Sequence, residues 1–301
     1  MMVEGVLNID KPAGWTSHDV VARLRKILKV KKIGHAGTLD PDATGVLVVC
    51  VGKATKIVEY LVGLDKEYEA VMRLGETTDT QDASGVVLEK AAWEHVTDKD
   101  LLNCFSRFTG EITQIPSAYS AIKVRGVPSY KLARKGEEVE IPRRKVKIYK
   151  IEFLKREGAD IFFKVHCSKG TYIRTLCHDI GRDIGVGAHL RALRRTRSGS
   201  FLIGDALSLE YLSGLMETGR LDKKFYGMDE VMAGFPSIIL DEEREKKTVH
   251  GNPVFLNAEQ GATLLSGSLV RLKNQNGSLI ALGVLEGEKL KKVKIEKVLI
   301  H

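Results

Sequence analysis

The stretch Asp160-Ile161-Phe162-Phe163-Lys164-Val165-His166-Cys167 constrains the fold more than any other. Ile161, Phe163, Val165 and Cys167 fall on one side of an extended chain, and Phe162, Lys164 and His166 on the other. That period of two marks a strand with one buried face, which needs hydrogen-bonded neighbours. Further strand-like segments lie at 5–10, 46–52, 67–74 and 145–154. Between them run amphipathic helices. One opens on a capping-box-like Thr16 and Asp19 and continues through Val20, Val21, Leu24, Ile27 and Leu28. Others are expected from Lys53 to Leu61 and from Thr171 to Ile184. Strands and helices mix without a regular strand–helix–strand rhythm. The expectation is an α+β fold with a mixed, largely antiparallel sheet and flanking helices, not a doubly wound one.

The character changes near Gly234-Phe235-Pro236. Beyond it the chain reads as short strands and turns, with Asn276-Gly277 as a hairpin signal between LVRLKN and SLIALGVL. A chain of 301 residues has room for two domains, and we place them at 1–235 and 236–301, the second small and β-rich. Charge separates them too. The whole chain carries 47 Lys and Arg against 39 Asp and Glu, a net of +8. Residues 117–150 hold ten basic side chains and three Glu, and residues 169–197 hold seven and two Asp. Residues 236–301 hold ten against eight. The positive field therefore belongs to the first domain, and nucleic acid is the polyanion it suits best.

Several chemistries are excluded. Gly52-Lys53 is followed by Ala54, and Leu47 stands where a P-loop needs glycine. No G-x-G-x-x-G follows a strand. Cys50, Cys104, Cys167 and Cys177 form no C-x-x-C pair, and His35, His166 and His178 lack zinc-ligand spacing to them. The cysteines read as reduced core thiols. The run from Asp79 to Gly85 departs from the calcium-loop pattern and reads as a polar turn. The apolar run Val46–Val51 is too short to span a bilayer. The start MMVEGVLNIDK lacks a basic segment followed by an apolar one, so a cytoplasmic protein is expected.

The loop GHAGTLDPDATG is the most unusual segment. Gly34, Gly37 and Gly45 permit left-handed backbone and close approach by another chain. Asp40 precedes Pro41, which stiffens its backbone. A carboxylate presented on a stiff pivot suits a nucleophile or base, although Asp-Pro is also common turn punctuation. The loop resembles the catalytic-aspartate motif of the tRNA pseudouridine synthases that act on uridine 55 of the T loop, the TruB family. Other segments resemble that family's motifs in order: NIDKPAGWTSHDVV, DKEYEAVMRLGETTDTQDASG, CSKGTYIRTL and HLRALRR. PSAYSAIKVRGVPSYKLARKGEEVEIPRRKV resembles its basic RNA-binding insertion, here 117–145, and residues 236–301 resemble a PUA RNA-binding domain. Ala36 stands where threonine is usual, and Asp42 where an apolar residue is usual.

The resemblance implies an isomerase that converts uridine to pseudouridine in tRNA with a flipped-out base, without cofactor or metal. It implies a monomer with no obligatory protein partner and no membrane. It makes Asp40 the catalytic group, ionised as a free aspartate titrating near ~3.9 would be. Arg174 matches the arginine paired with it, in a bidentate contact. Tyr68 matches the tyrosine that stacks on the base, and Tyr172 and Leu193 match pocket-lining residues. His35 matches a histidine that contacts the remodelled T loop, and Asp82 a polar partner near it. Lys11-Pro12 matches a pair supporting the catalytic loop. Lys123, Arg125, Lys131 and Arg134 are the expected phosphate contacts of the insertion. Whether Asp40 attacks the sugar, attacks the base or promotes an elimination is left open. Two rivals are a non-catalytic RNA-binding protein and a dyskerin-type synthase directed by guide RNA.

Overall fold

A computed structural model describes residues 4–300, except 121, 125, 134, 138–139, 257–263 and 288–290. The chain begins with β1 (Gly5–Lys11), α1 (Ser17–Leu28), β2 (Ile33–His35), β3 (Thr44–Val51), α2 (Val58–Val62), β4 (Lys66–Leu74), β5 (Glu76–Thr78) and β6 (Val87–Lys90). There follow α3 (Asp98–Arg107), β7 (Gly110–Gln114), β8 (Lys123–Val124), β9 (Val127–Pro128), α4 (Ser129–Ala133), β10 (Arg144–Glu157) and β11 (Asp160–Cys167). Next come α5 (Ile173–Ile184), β12 (Ala188–Ser198), β13 (Phe201–Leu202), α6 (Leu209–Glu217) and α7 (Met228–Val231). The last are β14 (Ser237–Ile239), α8 (Glu242–Val249), β15 (Val254–Phe255), β16 (Leu269–Lys273), β17 (Leu279–Glu286) and β18 (Lys292–Val298).

Among the described residues, nine strands make the main sheet, in the order β1-β3-β12-β4-β11-β10-β7, with β2 on β3 and β13 on β12. Among the described pairs of this sheet only β3–β12 is parallel. The alternation of 160–167 puts Ile161, Phe163, Val165 and Cys167 in the core, facing α3 and α5 across a cluster that includes Met72, Leu101, Phe105, Leu176 and Ile180. Helices α1 and α6 cover Leu7, Ile9, Leu47 and Val49. The Thr16–Asp19 capping box forms at the start of α1. All four cysteines are buried and unbonded to each other, and burial raises the Cys50 thiol to about 12.

The helix expected from Lys53 to Leu61 is broken. Residues Gly52–Ile57 wind as a 3-10 turn before α2 begins. Gly52 enters at a positive φ of 65°, and Thr55 Oγ1 donates to Gly52 O at 2.8 Å, a local bond that competes with helical pairing. The calcium-like run is a turn. Asp79 accepts from Val86 N at 2.8 Å, and Asp82 Oδ1 accepts from Thr80 Oγ1, Ser84 N and Ser84 Oγ at 2.7, 3.0 and 2.6 Å. Among the described residues, no group of His, Cys, Asp and Glu could hold a metal ion. Among the described residues no helix is long and apolar enough to cross a membrane.

A second sheet, β14-β16-β17-β18-β15, begins at Ser237. Asn276-Gly277 closes the β16–β17 hairpin, with Asn274 Oδ1 accepting from Asn276 N and Ser278 N. This sheet shares a core with the first: Leu282 and Leu299 pack in one cluster with Val46, Val48, Ile57 and Met232. Polar ties run alongside. Lys56 Nζ donates to Val298 O at 2.6 Å, Lys297 pairs with Glu59 at 3.0 Å, and Arg271 pairs with Asp229 at 2.7 Å. Deleting the second sheet would strip cover from the strand that carries the Asp40 loop. We expect Leu282→Ala to cost about 2–5 kcal/mol. Chemical denaturation should show one transition, with coincident loss of near- and far-ultraviolet dichroism. Separate transitions would mean that the two sheets unfold independently.

Candidate active site

The Asp40 loop emerges where β3 changes partners. Residues 49–51 pair with β2, whereas residues 44–45 pair with β12. Between the two contacts β3 leaves carbonyls that no strand satisfies. Ala36 N donates to Val48 O at 2.8 Å, and Arg195 Nε, from β12, donates to Val46 O at 2.6 Å. Arg195 is 1% exposed. Its other nitrogens donate to Gly37 O at 3.0 Å and Thr38 O at 3.5 Å. One buried guanidinium thus ties both ends of the loop. Gly45 makes this approach possible: its φ is 99°, and a Cβ there would lie 2.2 Å from Arg195 O.

Two further anchors bracket Asp40. Ser17 Oγ, at the start of α1, accepts from Leu39 N at 2.9 Å and donates to Leu39 O at 3.3 Å. On the other side Lys11, fully buried at the end of β1, donates to Pro12 O and Pro41 O at 2.9 and 2.8 Å, and also to Trp15 O. Burial brings the Lys11 ammonium down to about 8, partly offset by Asp42 and Asp40. Asp40 O then accepts from Ala43 N at 3.1 Å, closing a turn. The stiff pivot is real, but it depends on Ser17, Lys11 and Arg195 as much as on Pro41. Gly34 lies in β2 without left-handed backbone; Gly37 and Gly45 supply it.

The structure brings Asp40, Arg174 and Asp82 together. Arg174 Nη2 donates to Asp40 Oδ1, and Nη1 to Asp82 Oδ2, both at 3.3 Å. The expected bidentate fork on Asp40 is therefore absent, because Asp82 takes the other arm. Arg174 is buried on the first turn of α5, and its Nε has no partner. Tyr172, the residue before α5, is fixed by Gln114, whose side chain exchanges hydrogen bonds with its backbone N and O at 3.0 and 3.1 Å. Its ring lies 5.2 Å from the Arg144 guanidinium and 5.9 Å from that of Arg174. Asp82 is set by a bridge to Leu190 beside β12.

Tyr68 and Arg195 are register partners on β4 and β12. Tyr68 is 8% exposed. Burial raises its phenol, against the pull of Arg195. Leu193 sits two residues before Arg195, beside a cavity of about 330 Å³ that Asp42, Thr44 and Phe162 also line. His35 stands apart from the carboxylates. Its ring packs edge-on against His18 at 5.7 Å, and its Nδ1 is buried without a partner. Burial, then His18 and Arg195, lower its pKa. Arg125 and Arg134 lie outside the described residues, as do the side chains of Lys123 and Lys131.

Residues 25–173 match the family profile "TruB family pseudouridylate synthase (N terminal domain)", and residues 174–233 match "tRNA pseudouridylate synthase B C-terminal domain". The chain belongs to the TruB family. It is 43% identical over 298 residues to the tRNA pseudouridine synthase B of Clostridium perfringens strain SM101, covering 98% of this chain and 100% of that one. It is 45% identical over 264 residues to the protein of that name from Bacillus cytotoxicus, covering 85% of each. A solved Cbf5-Nop10-Gar1 complex contains a chain that superposes with a TM-score of 0.77 at 33% identity, over 98% of this chain and 85% of that one.

Asp40 departs from the free-aspartate expectation. Its side chain is 44% exposed, yet burial raises its pKa. Arg174 and then Lys11 oppose that rise, while Asp82 and Asp42 add to it. A carboxyl raised in the fold is bound more tightly to its proton there than in the unfolded chain. Ionised Asp40 therefore costs stability at pH values above its raised pKa, and Asp40→Asn should not lower Tm at neutral pH. The neighbours can be separated by ¹³C-detected titration of the Asp40 carboxyl. Asp82→Asn removes a negative neighbour and should lower the titration midpoint. Arg174→Met removes the positive one and should raise it. A midpoint that moves in neither variant would contradict the coupling.

Proposed function

We propose that this protein, a tRNA pseudouridine synthase, isomerises uridine 55 in the T loop of tRNA with Asp40 as the catalytic carboxylate. The observation that carries the reading is the placement of Asp40: pinned on both sides, nearly half exposed, and held by a guanidinium shared with Asp82. In the reaction the C1′–N1 glycosidic bond breaks, the uracil turns, and a C1′–C5 bond forms. C5 gives up its proton and N1 gains one, so the product is an isomer and no co-reactant is consumed. A stacked uridine in the tRNA elbow is out of reach, and the base must be flipped to meet Asp40. Arg174 keeps the carboxylate oriented while it acts on the nucleoside, and Asp82 keeps Arg174 from collapsing onto Asp40.

Tyr68, beneath the loop, gives a face on which the flipped pyrimidine stacks. Tyr172 and Leu193 close the pocket, and His35 contacts the T loop beside the vacated base position. The insertion at 117–145 supplies phosphate contacts through Lys123, Arg125, Lys131 and Arg134, and residues 236–301 act as a PUA-like RNA-binding unit. The protein works as a cytoplasmic monomer. The rival reading, a dyskerin-type synthase directed by guide RNA, is disfavoured by the basic insertion at 117–145, which resembles that of stand-alone enzymes. It requires that the protein alone leave tRNA unmodified.

Unmodified tRNA transcript incubated with the protein alone should gain pseudouridine at position 55, mapped by chemical sequencing. Conversion only with added guide RNA would favour the second reading. Asp40→Asn should abolish conversion while tRNA affinity stays within about tenfold, roughly 1.4 kcal/mol. Turnover within tenfold of the wild type would remove Asp40 from the chemistry. Neutralising Lys123, Arg125, Lys131 and Arg134 together should lower the slope of log K against log[salt] by at least about one to two. The single-turnover rate at saturating enzyme should change much less. An unchanged slope would mean that the insertion does not touch the phosphates.

A further inference from the structure

The turn that carries Asp82 contains a residue whose backbone and side chain both depart from an ordinary turn. Gln81 has a φ of 66°, in the left-handed region that residues other than Gly, Asn and Asp seldom enter. Among the described residues the other non-glycine at positive φ is Lys29, and Lys29 is the C-cap of α1, where such a backbone ends a helix. Gln81 ends no helix. A backbone of this kind outside a cap is held by its surroundings, and such residues cluster at functional sites.

Two sets of bonds hold it. The first ties the turn to the sheet. Leu190 N, from β12, donates to Gln81 O at 3.0 Å, and Ala83 N donates to Leu190 O at 2.9 Å, so Leu190 clasps the backbone on either side of Asp82. Thr78 Oγ1 donates to Asp82 O at 2.7 Å. The second reaches α5. Thr175 Oγ1 donates to Gln81 Oε1 at 2.8 Å, and Thr175 is 1% exposed, next to Arg174. Neighbouring residues of the turn thus grip neighbouring residues of the helix: Gln81 holds Thr175, and Asp82 holds Arg174 at 3.3 Å. In an extended strand two successive side chains point to opposite faces. The left-handed backbone at Gln81 lets both face α5.

We propose that Gln81 is a positioning residue for the isomerisation. Its bond to Thr175 sets the distance between Asp82 and α5, and through that distance the share of Arg174 left for Asp40. The proposal rests on the reading of Asp40 as the catalytic carboxylate. Without the strut Asp82 moves away from α5, and Arg174 turns wholly to Asp40. The carboxylate is then held too firmly to leave its partner for a substrate atom.

The test combines kinetics with the carboxyl titration, on the full-length protein. In Gln81→Ala, single-turnover conversion of unmodified tRNA transcript at saturating enzyme should slow at least fivefold. The enzyme concentration at half-saturation should change less than twofold. The Asp40 titration midpoint should fall, as in Asp82→Asn. Gln81→Gly should be as slow as Gln81→Ala yet more resistant to denaturant, because glycine adopts the left-handed backbone freely. Thr175→Val should slow the reaction and Thr175→Ser, which keeps the hydroxyl, should not. The Gln81→Ala/Thr175→Val double variant should be no slower than Gln81→Ala, since both changes remove one bond. Gln81 is partly exposed, so its variants carry the test if Thr175→Val does not fold. A full rate in Gln81→Gly, an unmoved midpoint in Gln81→Ala, or additive losses in the double variant would each overturn the proposal. The midpoint is read without RNA. An active Asp40→Asn would therefore refute the reading of Asp40, whereas an unmoved midpoint would refute the strut.

Discussion

The arrangement at Asp40 depends on one buried guanidinium. Arg195 enters the gap left where β3 parts from β12 and donates to three backbone carbonyls, Gly37, Thr38 and Val46. Sheets rarely leave inner carbonyls unpaired, since an unpaired buried carbonyl costs about 1–3 kcal/mol. Here an arginine side chain replaces the missing strand donors. That substitution allows a loop to be threaded through the middle of a sheet without losing its position. Ser17 and Lys11 do the same at Leu39 O and Pro41 O, on either side of Asp40, so side chains from β1, α1 and β12 fix the loop alongside its own Asp40–Ala43 turn.

Electrostatics follows from this construction. One anchor of the loop, Lys11, is a cation that acts on Asp40 together with Arg174, yet burial still raises the carboxyl. Arg174 does not neutralise Asp40 completely, because Asp82 takes one arm of its fork. Both contacts are longer than the 2.7–2.9 Å of a strong charge-assisted bond. The resulting carboxylate is oriented but not locked, which suits a group that must leave its partner to act on a substrate atom. The turn from Asp79 to Gly85 spends the other oxygen of Asp82 on Thr80 and Ser84, and so sets where Arg174 points.

The second sheet contributes to the same end from the other face of β3. Val46 and Val48 pack against Leu282 and Leu299, while Val46 O and Val48 O carry the loop's bonds. A disturbance in the C-terminal core is therefore transmitted to the strand from which the Asp40 loop springs. The low net charge of residues 236–301 agrees with a part that adds surface and packing more than field.

Local patterns alone determined much of this protein. The alternation at 160–167, the capping box at Thr16, the hairpin at Asn276-Gly277 and the helix through Ile173 and Ile180 are short-range consequences of residue order, and each formed as written. Asp40, Arg174 and Asp82 were legible because their motifs resemble a known family, and the structure places their side chains in contact. Sequence did not single out Arg195, although it sits two residues after Leu193, on the same face of a strand. An arginine in the run Arg194-Arg195-Thr196-Arg197 looks like surface until the partner strand is known. The resemblance implied that Lys11 supports the loop, as its bond to Pro41 O does, but order along the chain did not disclose that Asp82 would divide Arg174 or that Ser17 would grip residue 39. It also did not disclose that Leu282 and Leu299 would share a core with Val46. Those contacts join segments from about twenty to more than two hundred residues apart. Only tertiary structure decides them, because a buried charge or an unpaired carbonyl acquires its energetic meaning from what the distant chain brings beside it.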